Sequence, residues 1–259
     1  MSIRVTPLQL QSARSVLPGN PNTANDRRTG IIVGTLFIVA TSFLFLGEAF
    51  DKPYLNAPDA LSVVARNKPE VVSGLLVEFI VIIAMPLIGA FIFPVLRRVS
   101  TGMALAYFFF RSLEAVVLIA VALTSKFAIL SLSEAYAAGG DSARIETSLA
   151  LIRALNAWAD TAGPLYNIIF VFGALCLYAV LFRARLIPRW ISGWGLIAAV
   201  NLGIPAVSGI FARLPPIWEA ALIAPIAVQE MGMALWFIFR GFDFSETSVV
   251  DAAVAETAV

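Results

Sequence analysis

Charged side chains inside long apolar runs are the residues of this sequence that are best placed to do chemistry. Arg111 and Glu114 lie within the run 102–125, and Tyr107 shares their face of a helix because the three are spaced i, i+4 and i+7. Glu230 lies near the middle of another run. Two carboxylates near one arginine leave one carboxylate without a cation, and in a dry interior such a group is more stable with a proton than with a charge. The pattern therefore indicates a proton-linked site, or a site for a cation or small ligand.

Three further polar residues inside apolar runs complete the candidate site. Gln229 adjoins Glu230, Glu78 lies in the second run, and Asn201 lies in the fifth. Pro205 has no N–H, so the carbonyl of Asn201, four residues earlier, loses its helical partner and needs another within the protein. Proline-interrupted spans beside mid-membrane charges resemble the broken helices of transporters, although proline is also common in inert membrane helices.

A structural interpretation of the same charges stays open. One charge at the centre of a membrane helix costs about 2.5–3.5 kcal/mol, so such residues face the bundle interior and find partners. Arg111 is able to pair with Glu114 on its own helix, and to reach Glu230 across the bundle. A buried ion pair of this kind fixes the order and register of helices without any ligand.

The composition excludes several kinds of site. The sequence contains no histidine, and its one cysteine, Cys176, lies in an apolar run. Metal and redox centres that use these ligands are excluded, so we expect no metal site, no cofactor and no enzymatic activity. A net charge of +1 provides no basic field for nucleic acid. An intramembrane lipid enzyme with paired carboxylates is the remaining enzymatic alternative, but the predicted inner loops contain no DxxD or ExxE motif.

The composition also indicates that membrane-spanning helices position these residues. Hydrophobic residues make up 59% of the chain and charged residues 14%, with a mean hydropathy of +0.87, whereas ordinary soluble domains are about 45–50% apolar and about 25% charged. A membrane-spanning helix needs about 20 apolar residues, and six runs are that long: 30–50, 71–96, 102–125, 162–182, 191–212 and 216–239. We therefore predict an all-α fold, a polytopic integral membrane bundle of about six transmembrane helices over residues 30–240, in contact with the lipid bilayer.

The segments outside this membrane domain are polar. Residues 1–29 contain Pro18 and Pro21 among glycine and asparagine, which predicts a disordered cytoplasmic tail. Residues 241–259 are acidic and rich in small residues, which predicts a second disordered tail.

A longer polar stretch, 126–161, separates the third and fourth runs and is predicted to be an outer loop. Within it, we expect a helix near 142–160 that lies at the membrane interface. A connecting helix packed on the bundle is the alternative. The apolar stripe consists of Ile145, Leu149, Ile152 and Leu155, and Trp158 extends it. Of these, Leu149, Ile152 and Leu155 are predicted to face inward.

The distribution of lysine and arginine predicts the orientation. If the N-terminus is cytoplasmic, the inner segments carry ten of these residues, the outer segments carry seven, and Arg111 lies within a span. Short cytoplasmic loops are enriched in lysine and arginine. We therefore expect both termini in the cytoplasm and outer loops at 51–70 and 126–161.

Three stretches of the chain carry a resemblance to a known family. They are Tyr107 to Glu114 (YFFFRSLE), Arg183 to Ile197 (RARLIPRWISGWGLI) and Pro225 to Phe242 (PIAVQEMGMALWFIFRGF). In these stretches the chain resembles domain of unknown function family 4386 (DUF4386), a group of bacterial multipass membrane proteins. The resemblance implies a six-span protein of the bacterial cytoplasmic (inner) membrane. It implies no activity and no catalytic residues.

Two classes of function remain for such a protein. In the first, it binds or transports a small molecule or ion through the cluster of Arg111, Glu114 and Glu230. In the second, it is a structural or regulatory membrane subunit whose buried charges only lock the helix bundle. Either class is compatible with a homo-oligomer or with another membrane partner. A water-filled, carboxylate-lined cavity that reaches mid-membrane would favour the first.

Overall fold

The computed structural model of the protein describes residues 23–159, 163–212 and 214–244, and every regular element in these ranges is helical. The first half of the chain forms α1 (Thr23–Leu55), α2 (Ala60–Arg66), α3 (Lys68–Leu96), α4 (Thr101–Val117) and α5 (Thr124–Ala137). A π-helical turn, Leu118–Leu123, joins α4 to α5 without a break. The second half forms α6 (Ser142–Ala159), α7 (Pro164–Arg183), α8 (Arg189–Phe211) and α9 (Pro216–Phe239).

Six helical stretches are long and apolar enough to cross a membrane, which confirms the predicted all-α membrane bundle. The first three are α1, α3 and the continuous helix α4–α5. The fourth is the stretch Ser142–Arg183, which ends with α7, and the last two are α8 and α9. Large apolar side chains such as Leu76, Phe172 and Val207 lie exposed on the outer faces of these helices. An apolar outer surface of this kind requires lipid rather than water around it.

The six spans form a ring in the order in which they occur in the chain. Each packs against the next, from α1 and α3 through α4, α7 and α8 to α9, and α9 packs back against α1. The inward faces of all six therefore meet around one interior. Short connections between consecutive antiparallel spans favour this arrangement, because neighbours in sequence become neighbours in space.

Helix α1 begins earlier than the sequence predicted. It starts at Thr23, so the prediction that residues 23–29 belong to a disordered tail is wrong. Two contacts hold its first turns in place. Asp26 accepts two hydrogen bonds from the guanidinium of Arg98, at 2.9 and 2.7 Å, and Arg27 donates to the carbonyl of Phe237 at 3.3 Å. Residues 1–22 and 245–259, which make up most of the two predicted tails, lie outside the described residues.

The third span is longer than predicted and includes the first third of the predicted outer loop. The chain stays helical past residue 125 through α5, which ends at Ala137. The π-helical turn disturbs the hydrogen-bond ladder of the backbone, and the hydroxyl of Thr124 donates to the carbonyl of Ile119 at 2.6 Å. The prediction of a loop is wrong because it places Lys126 in water, whereas this side chain is buried inside the bundle.

Helix α6 occupies the position where an interfacial helix was predicted. Ile145 and Leu149 are buried against the bundle, whereas Leu155 is 53% exposed and Trp158 is 49% exposed, so the protein itself covers only the first half of the stripe. At 3.6 residues per turn, the stripe turns away from the bundle along the helix. Arg153 fastens α6 to the end of α1 by donating to the carbonyl of Leu55 at 2.9 Å. The depth of α6 in the membrane stays a prediction.

The ring closes where glycines let α1 approach α9. Gly30 and Gly34 form a GxxxG pattern on α1, and both face α9. A Cβ atom on Gly30 would lie 2.9 Å from the carbonyl oxygen of Phe237, and a Cβ on Gly34 would lie 2.5 Å from that of Ala234. Neither distance leaves room for a side chain, so the two backbones touch at this seam.

This seam generates a prediction. Gly34→Ala is expected to destabilise the protein by about 1–3 kcal/mol, because the new methyl group meets backbone atoms that cannot move aside. The matched control is Gly232→Ala on α9, where nothing lies within 4 Å of the added carbon. Alanine is the better helix former, so this control should unfold at the same or a higher temperature. Thermal unfolding in detergent checks both variants, and equal melting temperatures would contradict the proposed contact.

Candidate functional site

The interior of the ring contains the arginine and the two carboxylates that the sequence singled out. Arg111 and Glu114, on α4, are 4% and 1% exposed, and Arg111 Nη1 lies 2.6 Å from Glu114 Oε2. Spacing i, i+3 along one helix brings these side chains together, as expected. Their charge is thus neutralised locally, without a partner from another span.

The guanidinium of Arg111 is also enclosed by two aromatic rings. Its Cζ atom lies 5.6 Å from the ring centroid of Phe37 on α1 and 5.6 Å from that of Phe170 on α7. The faces of aromatic rings carry negative potential, so both contacts stabilise a cation that has left water. Three spans therefore share in holding this one charge.

Glu230 enters the same interior from α9, on the far side of the ring. It is buried, and it lies within electrostatic range of Arg111. Among the residues that the structure describes, however, no hydrogen bond or ion pair involves its carboxylate. The predicted direct pairing of Arg111 with Glu230 is therefore wrong, because Glu114 on the same helix occupies the guanidinium first.

Two further polar groups in this interior lack partners among the described residues. They are the hydroxyl of Tyr107 and the Nε–H of Arg111, both fully shielded from solvent. Buried donors normally find a partner, in the protein or in ordered water. Both belong to the cluster that includes Glu230, since these groups interact electrostatically with one another.

Gln229 has a structural role beside this cluster. Its Oε1 accepts a hydrogen bond from the hydroxyl of Tyr178 on α7 at 2.5 Å, and its Nε2 donates to the carbonyl of Ile191 on α8 at 3.1 Å. One amide thus links three spans. Since Gln229 and Glu230 are adjacent on α9, these bonds also set the direction in which Glu230 points.

A second buried charge cluster was missed by the sequence analysis. Lys126 on α5 is 3% exposed, and its Nζ lies 3.0 Å from Asp51 Oδ2 on α1 and 2.5 Å from Glu78 Oε1 on α3. Glu78 was predicted as a site residue, but its partners were assigned to loops. The available signal was the apolar pattern after residue 125, which continues at helical spacing and carries Lys126 inward.

Asn201 does not join either cluster. Its side chain is partly exposed on α8, and none of the hydrogen bonds between described residues involves it. The comparison with broken transporter helices is also wrong, because α8 runs unbroken from Arg189 to Phe211 through Pro205. Helices α3 and α9 likewise continue through Pro86 and Pro225.

The model of a family described as Domain of unknown function (DUF4386) matches residues 32–241. The chain belongs to the DUF4386 family. No curated protein and no solved structure matches it. The matched residues of this DUF4386 protein include both buried charge clusters, five of the six spans in full and most of the first.

The two clusters of this DUF4386 protein contain more acids than bases. The cations are Arg111 and Lys126, and the carboxylates are Asp51, Glu78, Glu114 and Glu230. Beside the π-helical turn between them lies a cavity of about 10 Å³, lined by Glu78, Leu118 and Ala122 among others. This is about the space that one water molecule needs. Within the described residues, no group of three metal-ligating side chains comes together.

The cluster at Lys126 generates a prediction for the DUF4386 protein. Lys126→Met leaves two buried carboxylates without their cation and is expected to cost about 3–5 kcal/mol of stability. Combining it with Asp51→Asn and Glu78→Gln should recover much of that loss. Lys68→Met is the control, because Lys68 pairs with Glu134 on the surface, where both side chains are about half exposed, and such pairs contribute about 0–1 kcal/mol.

Thermal unfolding in detergent compares these variants. If Lys126→Met and Lys68→Met lower the melting temperature equally, the ion pairs at Lys126 do not hold α1, α3 and α5 together.

Proposed function

We propose that this protein binds or transports a proton or another small ligand at the centre of its helix ring, and that Glu230 is the group that takes up the proton. The observation that carries this proposal is the position of Glu230. Its side chain is buried inside the ring, and its carboxylate makes no ion pair or hydrogen bond with the described residues. A carboxylate in such surroundings either binds a proton or recruits a ligand.

The unpartnered donors near Glu230 support this proposal. Arg111 Nε–H and the Tyr107 hydroxyl are both able to donate to a guest that sits beside the carboxylate. Such a guest would be small and polar, and water or a hydrated proton meets both requirements. The charged and titratable groups around Glu230 are Arg111, Glu114 and Tyr107 on α4, and Tyr166 and Tyr178 on α7.

The second cluster supplies further carboxylates beside the third span, at a different depth from Glu230. Asp51 and Glu78 share the single ammonium group of Lys126, so this cluster also has a surplus carboxylate. Chains of acidic residues at different depths are a recurring feature of proton pathways through membranes. The small cavity beside Glu78 lies on the side of the π-helical turn, between the two levels of charge.

The alternative function is a structural or regulatory subunit whose charges only lock the bundle. The short Arg111–Glu114 distance and the aromatic rings that enclose Arg111 favour it, because a charge held this tightly is poorly placed to move. Glu230 distinguishes the two proposals, because no such lock involves it.

The test replaces Glu230 by glutamine, which keeps the shape and removes the charge. Purified protein is reconstituted in vesicles that contain a pH-sensitive dye, and proton flux is measured under an imposed potential. Glu230→Gln is expected to remain folded, since it removes a buried group without a partner, and to lose the flux. Glu146→Gln, on the exposed face of α6, is the control and should retain the flux.

Two results would remove the transport proposal in favour of the structural alternative. One is a wild-type protein that is folded but carries no flux. The other is a triple variant, Arg111→Leu with Glu114→Gln and Glu230→Gln, that is as stable as the wild type and leaves every measured flux unchanged.

We further infer that both termini face the cytoplasm of a bacterial cell, across its inner membrane. One end of the ring carries basic residues from four separate segments, and short basic segments are typical of the cytoplasmic side. The cations at this end are Arg27, Arg28, Arg97, Arg98, Arg183, Arg185, Arg189 and Arg240, and the described acids are Asp26 and Asp243. The opposite end has acidic and basic residues in mixture.

Reporter fusions check this orientation. Fusions after Arg98 and after Arg185 are expected to report cytoplasm. A fusion after Gly139, in the exposed turn that follows α5, is expected to report periplasm. A periplasmic signal at either arginine, or a cytoplasmic one at Gly139, would reverse the orientation or change the number of spans before that point.

A further inference from the structure

A cavity of about 730 Å³ opens at the basic end of the ring, away from both buried clusters. It lies between the connection from α7 to α8 and the end of α9. Its charged lining residues are Arg185, Arg189, Arg240 and Asp243, and Pro188, Trp236 and Phe242 supply apolar walls. The volume is in the range of small-molecule binding sites, about 300–1,000 Å³. We propose that this cavity binds the phosphate group of an anionic phospholipid.

The charge of the lining selects an anion. Three guanidinium groups face one carboxylate, and none of the three arginines forms an ion pair with any described residue. Arg189 is held over the ring of Phe182, with its Cζ 5.2 Å from the centroid. This contact orients the guanidinium and leaves its N–H donors available. Planar guanidinium groups match the oxygens of a phosphate and bind them through paired hydrogen bonds.

The backbone at Arg185 is the second, independent observation. Arg185 has a φ of 53°, a left-handed conformation that costs energy for any residue with a side chain. It follows α7, whose last turn is closed by a hydrogen bond from the N–H of Leu186 to the carbonyl of Leu181 at 3.2 Å. Glycine is the usual residue at this position of a helix end.

The end of α9, across the cavity, provides the comparison within the same molecule. There the left-handed residue is Gly241, with a φ of 74°, and no strain arises. The N–H of Asp243 donates to the carbonyl of Leu186 at 2.9 Å, so the two helix ends are joined. Arginine at the first end and glycine at the second indicate that the Arg185 side chain has a use that offsets its strain.

The apolar walls and the surroundings favour a lipid over a free phosphate compound. Trp190 and Trp194 lie exposed on the first turns of α8, beside the cavity, and exposed tryptophans of this kind mark the interface between membrane and water. A phosphate at this level is the headgroup phosphate of the surrounding leaflet. Basic pockets between membrane helices bind anionic headgroups in this way.

The test uses the full-length protein in nanodiscs of phosphatidylcholine, with and without phosphatidylglycerol, and measures thermal unfolding. Phosphatidylglycerol is expected to raise the melting temperature of the wild type. Arg185→Gly combined with Arg240→Gln should abolish this rise, with about a tenfold loss of apparent lipid affinity for each arginine removed. Arg183→Gln and Arg28→Gln remove exposed arginines that do not line the cavity, and both should retain the response.

The single variant Arg185→Gly separates binding from folding. Glycine relieves the left-handed strain, so in pure phosphatidylcholine this variant should unfold at the same or a higher temperature than the wild type. Its response to phosphatidylglycerol should nevertheless be weaker. If Arg185 served only to end α7, the variant would keep the full response to phosphatidylglycerol.

Two further comparisons distinguish a lipid from a soluble phosphate compound, and a binding site from a general effect of the basic surface. If inorganic phosphate in phosphatidylcholine nanodiscs produces the arginine-dependent rise and phosphatidylglycerol does not, the cavity binds a soluble phosphate compound and the lipid assignment is wrong. If the double variant and the two control variants respond to phosphatidylglycerol like one another, the basic surface acts as a whole, and the cavity is not a site.

Discussion

A charge inside a membrane must be matched by groups that the protein itself supplies, and this constraint determines much of the structure. Arg111 is matched by Glu114 on its own helix and by the rings of Phe37 and Phe170 from two other spans. The face of α4 that carries it must therefore point to the centre of the ring. Lys126 imposes the same condition on α1 and α3 through Asp51 and Glu78. Lipid could not replace any of these partners.

The two clusters differ in the surroundings of the carboxylate that exceeds the number of cations, and this difference links structure to function. Around Lys126 the surplus carboxylate shares a cation with its neighbour, whereas Glu230 has no such partner among the described residues. A structural lock needs only the pair of Arg111 with Glu114, and burying a second carboxylate that makes no ion pair costs energy. The basic cavity at the end of the ring is a separate feature, and its arginines lie where water and lipid headgroups are within reach.

The sequence predicts the features of this protein that depend on local spacing. The six spans follow from the length of apolar runs, and the Arg111–Glu114 pair follows from a separation of three residues. The Lys126 cluster was not predictable in this way, because its partners are separated from it by 48 and 75 positions in the chain. The apolar pattern after residue 125 indicates that Lys126 belongs to a span, but its partners on other helices are known only once the fold is known. The left-handed conformation of Arg185 also leaves no mark in the sequence.

The arrangement of the spans in chain order has a consequence for how the protein is made. Each helix that leaves the ribosome and enters the membrane finds its predecessor already there, so five of the six contacts around the ring form between neighbours in sequence. Only the docking of α9 on α1 joins the two ends of the chain. That last contact is the glycine seam at Gly30 and Gly34, so it is the tightest backbone approach that has to wait for the end of synthesis. Until then Glu230 has no interior to enter, and the polar centre of the ring comes into being only with its final helix.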